Sequence, residues 1–257
     1  MPVSKKSLYY ILFGLAVYAL FMIATLPANM VINRFLPASV SSIVQFQYVS
    51  GSIWKGQATQ FAVKQIPLGK LEWELSSLPL LWGVADLQIN AQREGALLIS
   101  GASLSSGQIS LQDTRFEMAI ADLMPLLYGY PFSLDGKINA LFKNIEIEPG
   151  SRFSINGRVV LTDVEMLAPQ ALSLGNLVMN FAEDENGTRI TINDQQGPVQ
   201  VDAVVTMAET GFYTVNATLI PRATADPAIK NTLIMFSKAD NQGRYTFNTR
   251  GRVPFRI

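Results

Sequence analysis

Apolar and polar side chains alternate along most of this chain beyond residue 44, and this period-two pattern limits the fold more than any other feature. Residues 85–92 alternate without a break, with Ala, Leu, Ile and Ala interleaved with Asp, Gln, Asn and Gln. The pattern recurs in residues 71–76, 153–161 and 199–207, and residues 212–220 are rich in Thr and β-branched side chains. Alternation gives a strand one apolar and one polar face. The sequence therefore predicts a mainly β fold.

Turn-forming residues separate the alternating stretches at short intervals. Gly follows polar residues at Gly95, Gly107, Gly187 and Gly243. Asn186 with Gly187 is the clearest signal for a tight hairpin, because both residue types tolerate positive φ. This spacing predicts a meander in which consecutive strands pair antiparallel. Glycines that fall inside strand-like stretches usually mark bends or bulges, so we expect one curved, largely antiparallel sheet.

Two short segments interrupt the β pattern. Asp122 can begin a helical turn that runs to Leu127, and Asp226 followed by Pro227 can begin a helix. A carboxylate at the N-cap accepts a hydrogen bond from a free backbone N–H group, and proline is tolerated in the first turn. In the second segment, apolar residues recur at helical spacing over residues 229–236. We expect one or two short helices that cover an end or edge of the sheet.

A long apolar run precedes the β pattern. Residues 8–26 contain no charged side chain, and as a helix they would span roughly 28 Å, which matches the hydrocarbon core of a bilayer. A cleaved signal peptide is the alternative, but its apolar core is usually shorter and ends at small residues. Leu26, Pro27 and Ala28 form a poor cleavage site. We therefore expect an uncleaved transmembrane signal anchor.

Positive charges set the expected orientation of this anchor. Lys5 and Lys6 precede the apolar run, and Arg34 follows it at a distance, so the positive-inside bias places the short N-terminus in the cytoplasm. No linker or low-complexity stretch divides the rest of the chain. The expected parts are a cytoplasmic N-terminus (1–7), a transmembrane signal anchor (8–26), a stalk (27–43) and one periplasmic β-rich domain (44–257).

The residues that are missing exclude several kinds of chemistry. The chain has no Cys and no His, which removes disulfides, thiol nucleophiles, imidazole bases and nearly all zinc chemistry. Its 20 acidic residues are scattered, without a paired motif for a divalent ion, and the 20 basic residues balance them. Zero net charge offers no basic surface for nucleic acid. We expect no enzyme activity, no cofactor, no metal site and no nucleic-acid partner.

Four stretches resemble a known family. They are Leu26 to Ala28; residues 51–58 with Gly51, Trp54 and Gly56; residues 71–75 around Trp73, with the apolar residues 78–81 behind them; and residues 231–251, which contain Gly243, Arg244 and Tyr245 and end at Gly251. Their order and spacing are similar to those of protein N of type II secretion systems, also called general secretion pathway protein N. The likeness covers nearly the whole chain, although the middle third matches only in its β character and no single motif is highly specific.

The resemblance implies an accessory component of the machine that exports folded proteins from the periplasm across the outer membrane. It implies anchoring in the bacterial inner membrane, with inner-membrane and periplasmic components of that machine as partners. The role would be structural or one of protein interaction, since the family has no known catalytic residues. We expect the motif residues to be structural: Gly51, Trp54, Gly56, Trp73, Gly243, Tyr245 and Gly251.

Trp54 carries the sharpest of these expectations. In a continuous strand, Phe46, Tyr48 and Trp54 would share one face, and Val49 would lie on the opposite face. Trp73 follows 19 residues after Trp54, where a neighbouring strand would place the two rings together. We therefore predict a buried tryptophan pair that helps to build the sheet, in preference to a tryptophan that stacks on a ligand.

Two other function classes remain open. The first is a groove-type module of the cell envelope that binds lipid or another apolar ligand. Residues 138–147 have apolar side chains on both faces, so they either line such a groove or form a strand buried on both sides, and we favour the buried strand. The second is a sugar-stacking enzyme site at Trp82, Tyr128 and Tyr130, although aromatics near Pro and Gly are more often loop anchors.

Overall fold

A single antiparallel sheet dominates the computed structural model, which describes residues 5–35, 43–127, 133–148, 152–168, 171–185 and 187–252. Within these residues the sheet has thirteen strands, whose spatial order is the chain order. Strands β1 to β13 span, in turn, Val44–Gly51, Lys55–Val63, Ile66–Ser76, Val84–Arg93, Ala96–Ser105, Gln108–Ala119, Ser133–Glu148, Arg152–Ala168, Leu172–Asp184, Gly187–Asp194, Val199–Ala208, Phe212–Pro221 and Tyr245–Arg252.

The meander predicted from the turn spacing is confirmed, because every neighbouring pair of strands is antiparallel. Strands β1 and β13 form the two edges, and the described sheet is not closed. The odd strands all end, and the even strands all begin, at one end of the sheet. We call this end, which includes the β1–β2 turn, the junction end.

Few helices accompany the sheet. Those in the described residues are α1 (Lys5–Ala24), α2 (Ala28–Phe35), α3 (Pro227–Phe236) and two 3-10 helices, Pro79–Trp82 and Ile120–Leu127. The helix predicted after Asp226 is confirmed, since the Asp226 carboxylate accepts a 2.8 Å hydrogen bond from the backbone N–H of Ala228. Asp122 does not begin its helical segment but lies inside a 3-10 helix, where its carboxylate pairs with Arg93 at 2.5 Å.

Among the described residues, the buried apolar side chains include two packed clusters. The first includes Ala58, Phe61, Ile66, Leu68, Leu71, Ala91, Ala96 and Met118, and the rings of Phe46 and Phe61 stack there with centroids 5.4 Å apart. The second includes Leu172, Val199 and Tyr245 of the sheet with Ile229 and Leu233 of α3. Helix α3 therefore covers the sheet near β13, as its apolar face predicts.

The side-chain phase of β1 changes in mid-strand, at Tyr48. This residue has a φ of +53°, and the ladder passes from the pair Gln47 and Gln60 to the pair Val49 and Ala58. Val49 packs on the first cluster together with Phe46, while Tyr48 is 75% exposed. The prediction that Tyr48 shares a face with Phe46, with Val49 opposite, is wrong, because the left-handed residue reverses the alternation.

Strand β7 has one buried face. Ala140 is buried, whereas the next residue, Leu141, is 54% exposed. Phe142 contacts Phe181 edge to face, with ring centroids 5.5 Å apart. The prediction that residues 138–147 form a strand buried on both sides is therefore wrong, because the sheet leaves one face of this strand open to solvent.

The N-terminal segment is helical. The large apolar side chains of α1 between Tyr9 and Ile23 are exposed all round, from 49% at Val17 to 77% at Tyr10. Among the residues that the structure describes, no helix is both long and apolar enough to cross a membrane. Helix α2 occupies part of the segment predicted as a stalk, and residues 36–42 of that segment lie outside the described residues.

Candidate functional site

The C-terminal end of α1 is fixed to the β1–β2 turn, residues 52–54. The indole Nε1 of Trp54 donates a 2.9 Å hydrogen bond to the carbonyl oxygen of Ile23. The backbone N–H of Ile53 donates one of 3.0 Å to the carbonyl oxygen of Leu26, and Pro27 forms a bridge with Ser52. The last carbonyl groups of a helix have no partner within it, so the turn caps α1. We call these residues the junction.

Glycine and serine shape the turn that makes these contacts. Gly51 has a φ of +90°, and a Cβ atom there would lie 2.6 Å from the carbonyl oxygen of Lys55. The N–H of Ser52 donates a 2.9 Å hydrogen bond to that same oxygen, and the N–H of Lys55 donates one of 3.2 Å to the Ser52 hydroxyl. Only glycine fits this backbone without strain.

Trp73 lies across Gly56, which stands opposite it in the β2–β3 register. A Cβ atom at Gly56 would lie 2.3 Å from Cζ2 of Trp73 and 2.8 Å from the carbonyl oxygen of Ser50. The backbone N–H of Leu75 donates a 2.7 Å hydrogen bond to the carbonyl oxygen of Trp54. The second tryptophan strand therefore borders the junction directly.

The position of Trp54 differs from the prediction. It lies in the turn between β1 and β2, half-buried, and its polar group is bonded to the main chain of α1. The placement of Trp54 on a strand in phase with Phe46 is therefore wrong. Trp73 does lie on a strand and packs against the first cluster.

An apolar cavity of about 360 Å³ lies beside the junction, between α2 and strands β1 to β4. It is lined by Ala28, Val31 and Ile32 from the helix, Ile53 from the turn, and Val44, Phe46, Phe61, Leu71, Trp73, Leu87 and Ile89 from the sheet. Every lining side chain is apolar. The volume lies within the range of small-molecule pockets, about 300–1,000 Å³, so the cavity has the size and chemistry for an apolar group.

The other motif residues lie near β13, away from the junction. Gly243 has a φ of +73° and closes the turn before β13 by donating a 3.0 Å hydrogen bond to the carbonyl oxygen of Asp240. Tyr245 is buried in the second cluster. The ring of Tyr213 covers Gly251, where a Cβ atom would lie 2.5 Å from the phenol oxygen. The seven predicted residues thus fall into two separate groups.

Asp194 holds the turn between β10 and β11. It accepts hydrogen bonds from the backbone N–H groups of Val201 (2.8 Å) and Gly197 (3.2 Å), and from the Arg222 guanidinium at 2.6 Å. Burial of the side chain, which is 4% exposed, acts to raise its pKa. The hydrogen bonds from Arg222, Val201 and Gly197 and the Arg222 charge outweigh burial and lower the pKa below its usual value. The ionised carboxylate is therefore part of the fold.

A metal ion would need a cluster of acidic side chains, and a sugar a surface of aromatic rings. The described residues contain no group of three or more His, Cys, Asp or Glu side chains that could hold a metal ion. Trp82 is 76% exposed, and Tyr128 and Tyr130 lie outside the described residues. A sugar-stacking surface of these three aromatics is therefore untested.

Comparison with known proteins identifies the family. Residues 43–248 match the sequence profile described as Type II secretion system (T2SS), protein N. The chain belongs to this family. It is 22% identical over 254 residues to the Type II secretion system protein N of Vibrio cholerae serotype O1, and 23% identical over 256 residues to the protein of that name from Aeromonas hydrophila. Each alignment covers 97% of this chain and 100% of the relative.

No solved structure shows a significant match to the chain. The family resemblance drawn from the motifs is confirmed by the profile match, whose residues include the motif positions from Gly51 to Tyr245 but neither Leu26 to Ala28 nor Gly251. Sequence reasoning missed Ile23 and Leu26, whose carbonyl groups are the partners of the tryptophan turn. Pro27 was the available signal, because proline directly after an apolar run marks a helix end that needs partners.

Proposed function

We propose that this chain is an inner-membrane-anchored accessory component of the type II secretion system. It contributes to the export of folded proteins from the periplasm across the outer membrane through a structural or protein-interaction role. The observation that carries the proposal is the family match over residues 43–248, joined to the full-length similarity to two proteins named Type II secretion system protein N. In this proposal residues 1–7 are cytoplasmic, 8–26 form the anchor, 27–43 the stalk and 44–257 the periplasmic domain.

Three observations support the anchor. Residues 8–26 are uncharged, and α1 covers them as far as Ala24. The described side chains of α1 from Tyr9 to Ile23 are exposed, which is costly for so apolar a surface in water. Lys5 and Lys6 precede the run, as expected for a cytoplasmic N-terminus.

The junction fixes the position of the sheet relative to the proposed anchor. Trp54 binds Ile23 in the last turn of α1, and Ile53 binds Leu26 just beyond the helix. Ala28, at the start of α2, is only 1% exposed. A helix that is bonded to a sheet in this way does not swing freely from it. The sheet therefore takes a fixed position at the membrane surface, which suits a component that must meet membrane-bound partners.

The open sheet offers an interaction surface. In the described residues, β1 and β13 are edge strands, and edge strands expose backbone groups that can pair with another chain. β1 lies beside α2, whereas β13 lies at the far side of the sheet. We assign β13 as the edge that meets periplasmic partners, because it lies farther along the sheet from the anchor.

Co-purification tests this proposal. The tagged full-length chain, extracted from its own bacterium in mild detergent after in-cell cross-linking, is expected to bring down inner-membrane components of the secretion machine. Recovery of the chain only as a free monomer would contradict the proposal. N-terminal sequencing of the same sample tests the anchor, because a chain that starts near residue 29 would show that the apolar run is cleaved.

The apolar cavity supports a second candidate function, the binding of lipid or another apolar ligand. Its position beside the end of α1 and its wholly apolar lining fit the end of an acyl chain. Native mass spectrometry of the full chain from detergent tests this candidate, with cross-linking at Leu87 on the cavity wall. The absence of any co-purified or cross-linked lipid would exclude it, without bearing on the secretion role.

A further inference from the structure

Residues 77–83 form an apolar loop between β3 and β4 whose large side chains are exposed. Leu78 is 69% exposed, Leu81 77% and Trp82 76%. Pro79–Trp82 make one 3-10 turn, which ends at Gly83 with a φ of +76°. A single exposed Leu is ordinary on a protein surface, but three large apolar side chains within five residues mark an interaction site. We call residues 77–83 the tryptophan loop.

The tryptophan loop lies at the junction end of the sheet, next to the end of α1. Its preceding strand is bonded to the junction, because the N–H of Leu75 binds the carbonyl oxygen of Trp54 at 2.7 Å. Trp54 in turn binds Ile23 of α1 at 2.9 Å. Two hydrogen bonds therefore connect the main chain of the proposed anchor to the strand that ends in this loop, and neighbouring strands lie roughly 5 Å apart.

The apolar surface continues to the next turn at the same end. Leu104, at the end of β5, is 50% exposed and stands opposite Ala85 of β4 in the register. Ile109 of β6 stands opposite Leu104 and is 38% exposed. Successive turns at the junction end thus carry outward-facing apolar side chains.

The tryptophan loop differs from an ordinary solvent-exposed loop in having no charged side chain. No charged residue lies between Glu74 and Asp86, so the whole connection is free of side chains that are costly to place near lipid. Tryptophan favours the boundary between lipid headgroups and acyl chains, and leucine favours the acyl side of it. The loop therefore has the composition of a segment that lies in the bilayer interface.

We propose that the tryptophan loop inserts into the interface of the same bilayer that holds α1, as a second membrane contact of the sheet. This inference rests on the proposed membrane anchor, since the loop is within reach of lipid only if α1 spans the membrane beside it. With two contacts, the junction end of the sheet faces the membrane and the opposite end points into the periplasm. The partner is lipid, and a protein partner for the loop is an alternative that the test separates.

Site-specific labelling of the full chain tests the proposal, and the absence of Cys makes each introduced thiol unique. Trp82→Cys carries an environment-sensitive fluorophore, and the chain is reconstituted into vesicles of phosphatidylethanolamine and phosphatidylglycerol. Tyr18→Cys on α1 reports the anchor. Gln242→Cys, in an exposed turn at the opposite end of the sheet, is the matched control. Vesicles with nitroxide-labelled lipids quench any label that lies in the bilayer.

The expected result is a blue shift and quenching at residues 18 and 82, with neither at residue 242. Quenching at 18 without quenching at 82 would overturn the loop proposal and leave the anchor standing. Absence of quenching at residue 18 would overturn the anchor itself, and with it the loop proposal. A blue shift at 82 that occurs only after secretion components are added, without quenching, would assign the loop to a protein partner and also overturn the proposal.

Discussion

The indole N–H of Trp54 binds the main-chain carbonyl oxygen of Ile23, across a sequence separation of 31 residues. This hydrogen bond joins the N-terminal helix to the first hairpin of the sheet. The same turn supplies the N–H of Ile53 to Leu26, while Gly51 gives the turn its left-handed start. One of the four stretches that carry the family resemblance, residues 51–58, therefore contains residues that connect the helix to the sheet.

Removing the indole N–H donor is expected to weaken this connection while an aromatic ring still fills the position. Trp54→Phe keeps an aromatic ring but removes the 2.9 Å hydrogen bond to the Ile23 carbonyl oxygen, which then keeps only the 3.3 Å bond from the backbone N–H of Leu26. A lost hydrogen bond of this kind costs about 0.5–1.5 kcal/mol, and more where the abandoned group stays away from water. Chemical unfolding of the full-length chain in detergent, followed by circular dichroism, measures the change.

Trp82→Phe is the control for this variant, because Trp82 is 76% exposed. We expect its free energy of unfolding to change by no more than an ordinary surface substitution causes, about 0.5 kcal/mol. Equal stability of Trp54→Phe and the native chain would show that the hydrogen bond contributes nothing to the junction.

A methyl group at Gly56 is expected to disrupt the packing of Trp73. The added Cβ would meet the Trp73 ring at 2.3 Å and the Ser50 carbonyl oxygen at 2.8 Å, so Gly56→Ala must displace a ring or a strand. Overpacking of this kind typically costs about 1–3 kcal/mol. In a Trp54→Phe, Trp82→Phe background, Trp73 is the remaining tryptophan. There the unfolding midpoint measures the loss of stability, and the fluorescence emission of Trp73 reports the displacement of its ring.

Gly101→Ala provides the comparison for Gly56→Ala. Gly101 also lies inside a strand, but its nearest neighbour is the end of the Gln88 side chain at 3.2 Å, which can move. We expect this variant to unfold near the native midpoint. A larger loss at Gly101 than at Gly56 would contradict the role assigned to the Trp73 ring.

Alanine substitutions at two adjacent residues of α3 are expected to differ in their effect on stability, because one side chain is buried and the other is exposed. Leu233 is 9% exposed in the second cluster, whereas its neighbour Ile234 is 58% exposed. Leu233→Ala leaves a cavity and is expected to cost about 2–5 kcal/mol. Ile234→Ala is expected to change the free energy of unfolding by no more than about 0.5 kcal/mol. Similar losses in both variants, measured by urea unfolding, would refute the placement of α3.

Acid is expected to weaken the β10–β11 turn through Asp194. Its pKa is lowered from the usual value of 3.8 in the folded chain. Its contribution to stability is therefore fully present above pH 3.8 and is lost as the pH falls through the lower folded value. The urea midpoint of Asp194→Asn is expected to lie below that of the native chain at pH 7, and the difference to shrink at pH values below 3.8.

Asp240→Asn is the comparison for this pH dependence. The hydrogen bonds from Arg244 lower the pKa of Asp240 as well, but its side chain is 39% exposed and solvent screens its charge. We expect a smaller stability loss at neutral pH for this variant. An Asp194→Asn variant whose deficit stayed constant down to strongly acidic pH would show that the loss does not come from the ionised carboxylate.

Local sequence patterns predicted the sheet well, because its strands and turns are determined by residues that lie close together in the sequence. Alternation and turn residues indicated the strands and their antiparallel order, and Asp226 with Pro227 marked the start of α3. These features depend on side chains close together in sequence. A meander needs little more, since each strand pairs with the next one along the chain.

The junction could not be predicted in the same way. The left-handed conformation of Tyr48 reverses the phase of β1, and no alternation rule foresees a reversal within a strand. Trp54 lies in a turn, where its indole N–H binds a carbonyl group of α1. That partner is 31 residues away in the sequence, so no local pattern predicts it. Leu141 has an apolar side chain, but it faces solvent because nothing in the described residues covers that face of β7.

The most direct test of the whole account is an export assay. In the bacterium that encodes this chain, deletion of its gene is expected to leave proteins secreted by the type II system in the periplasm, and the native chain is expected to restore their release. Complementation with Trp54→Phe should restore less export at equal protein level, because the sheet is less firmly held at the membrane. Normal export after deletion, accompanied by a changed lipid composition of the envelope, would contradict the secretion role and favour the apolar-ligand function.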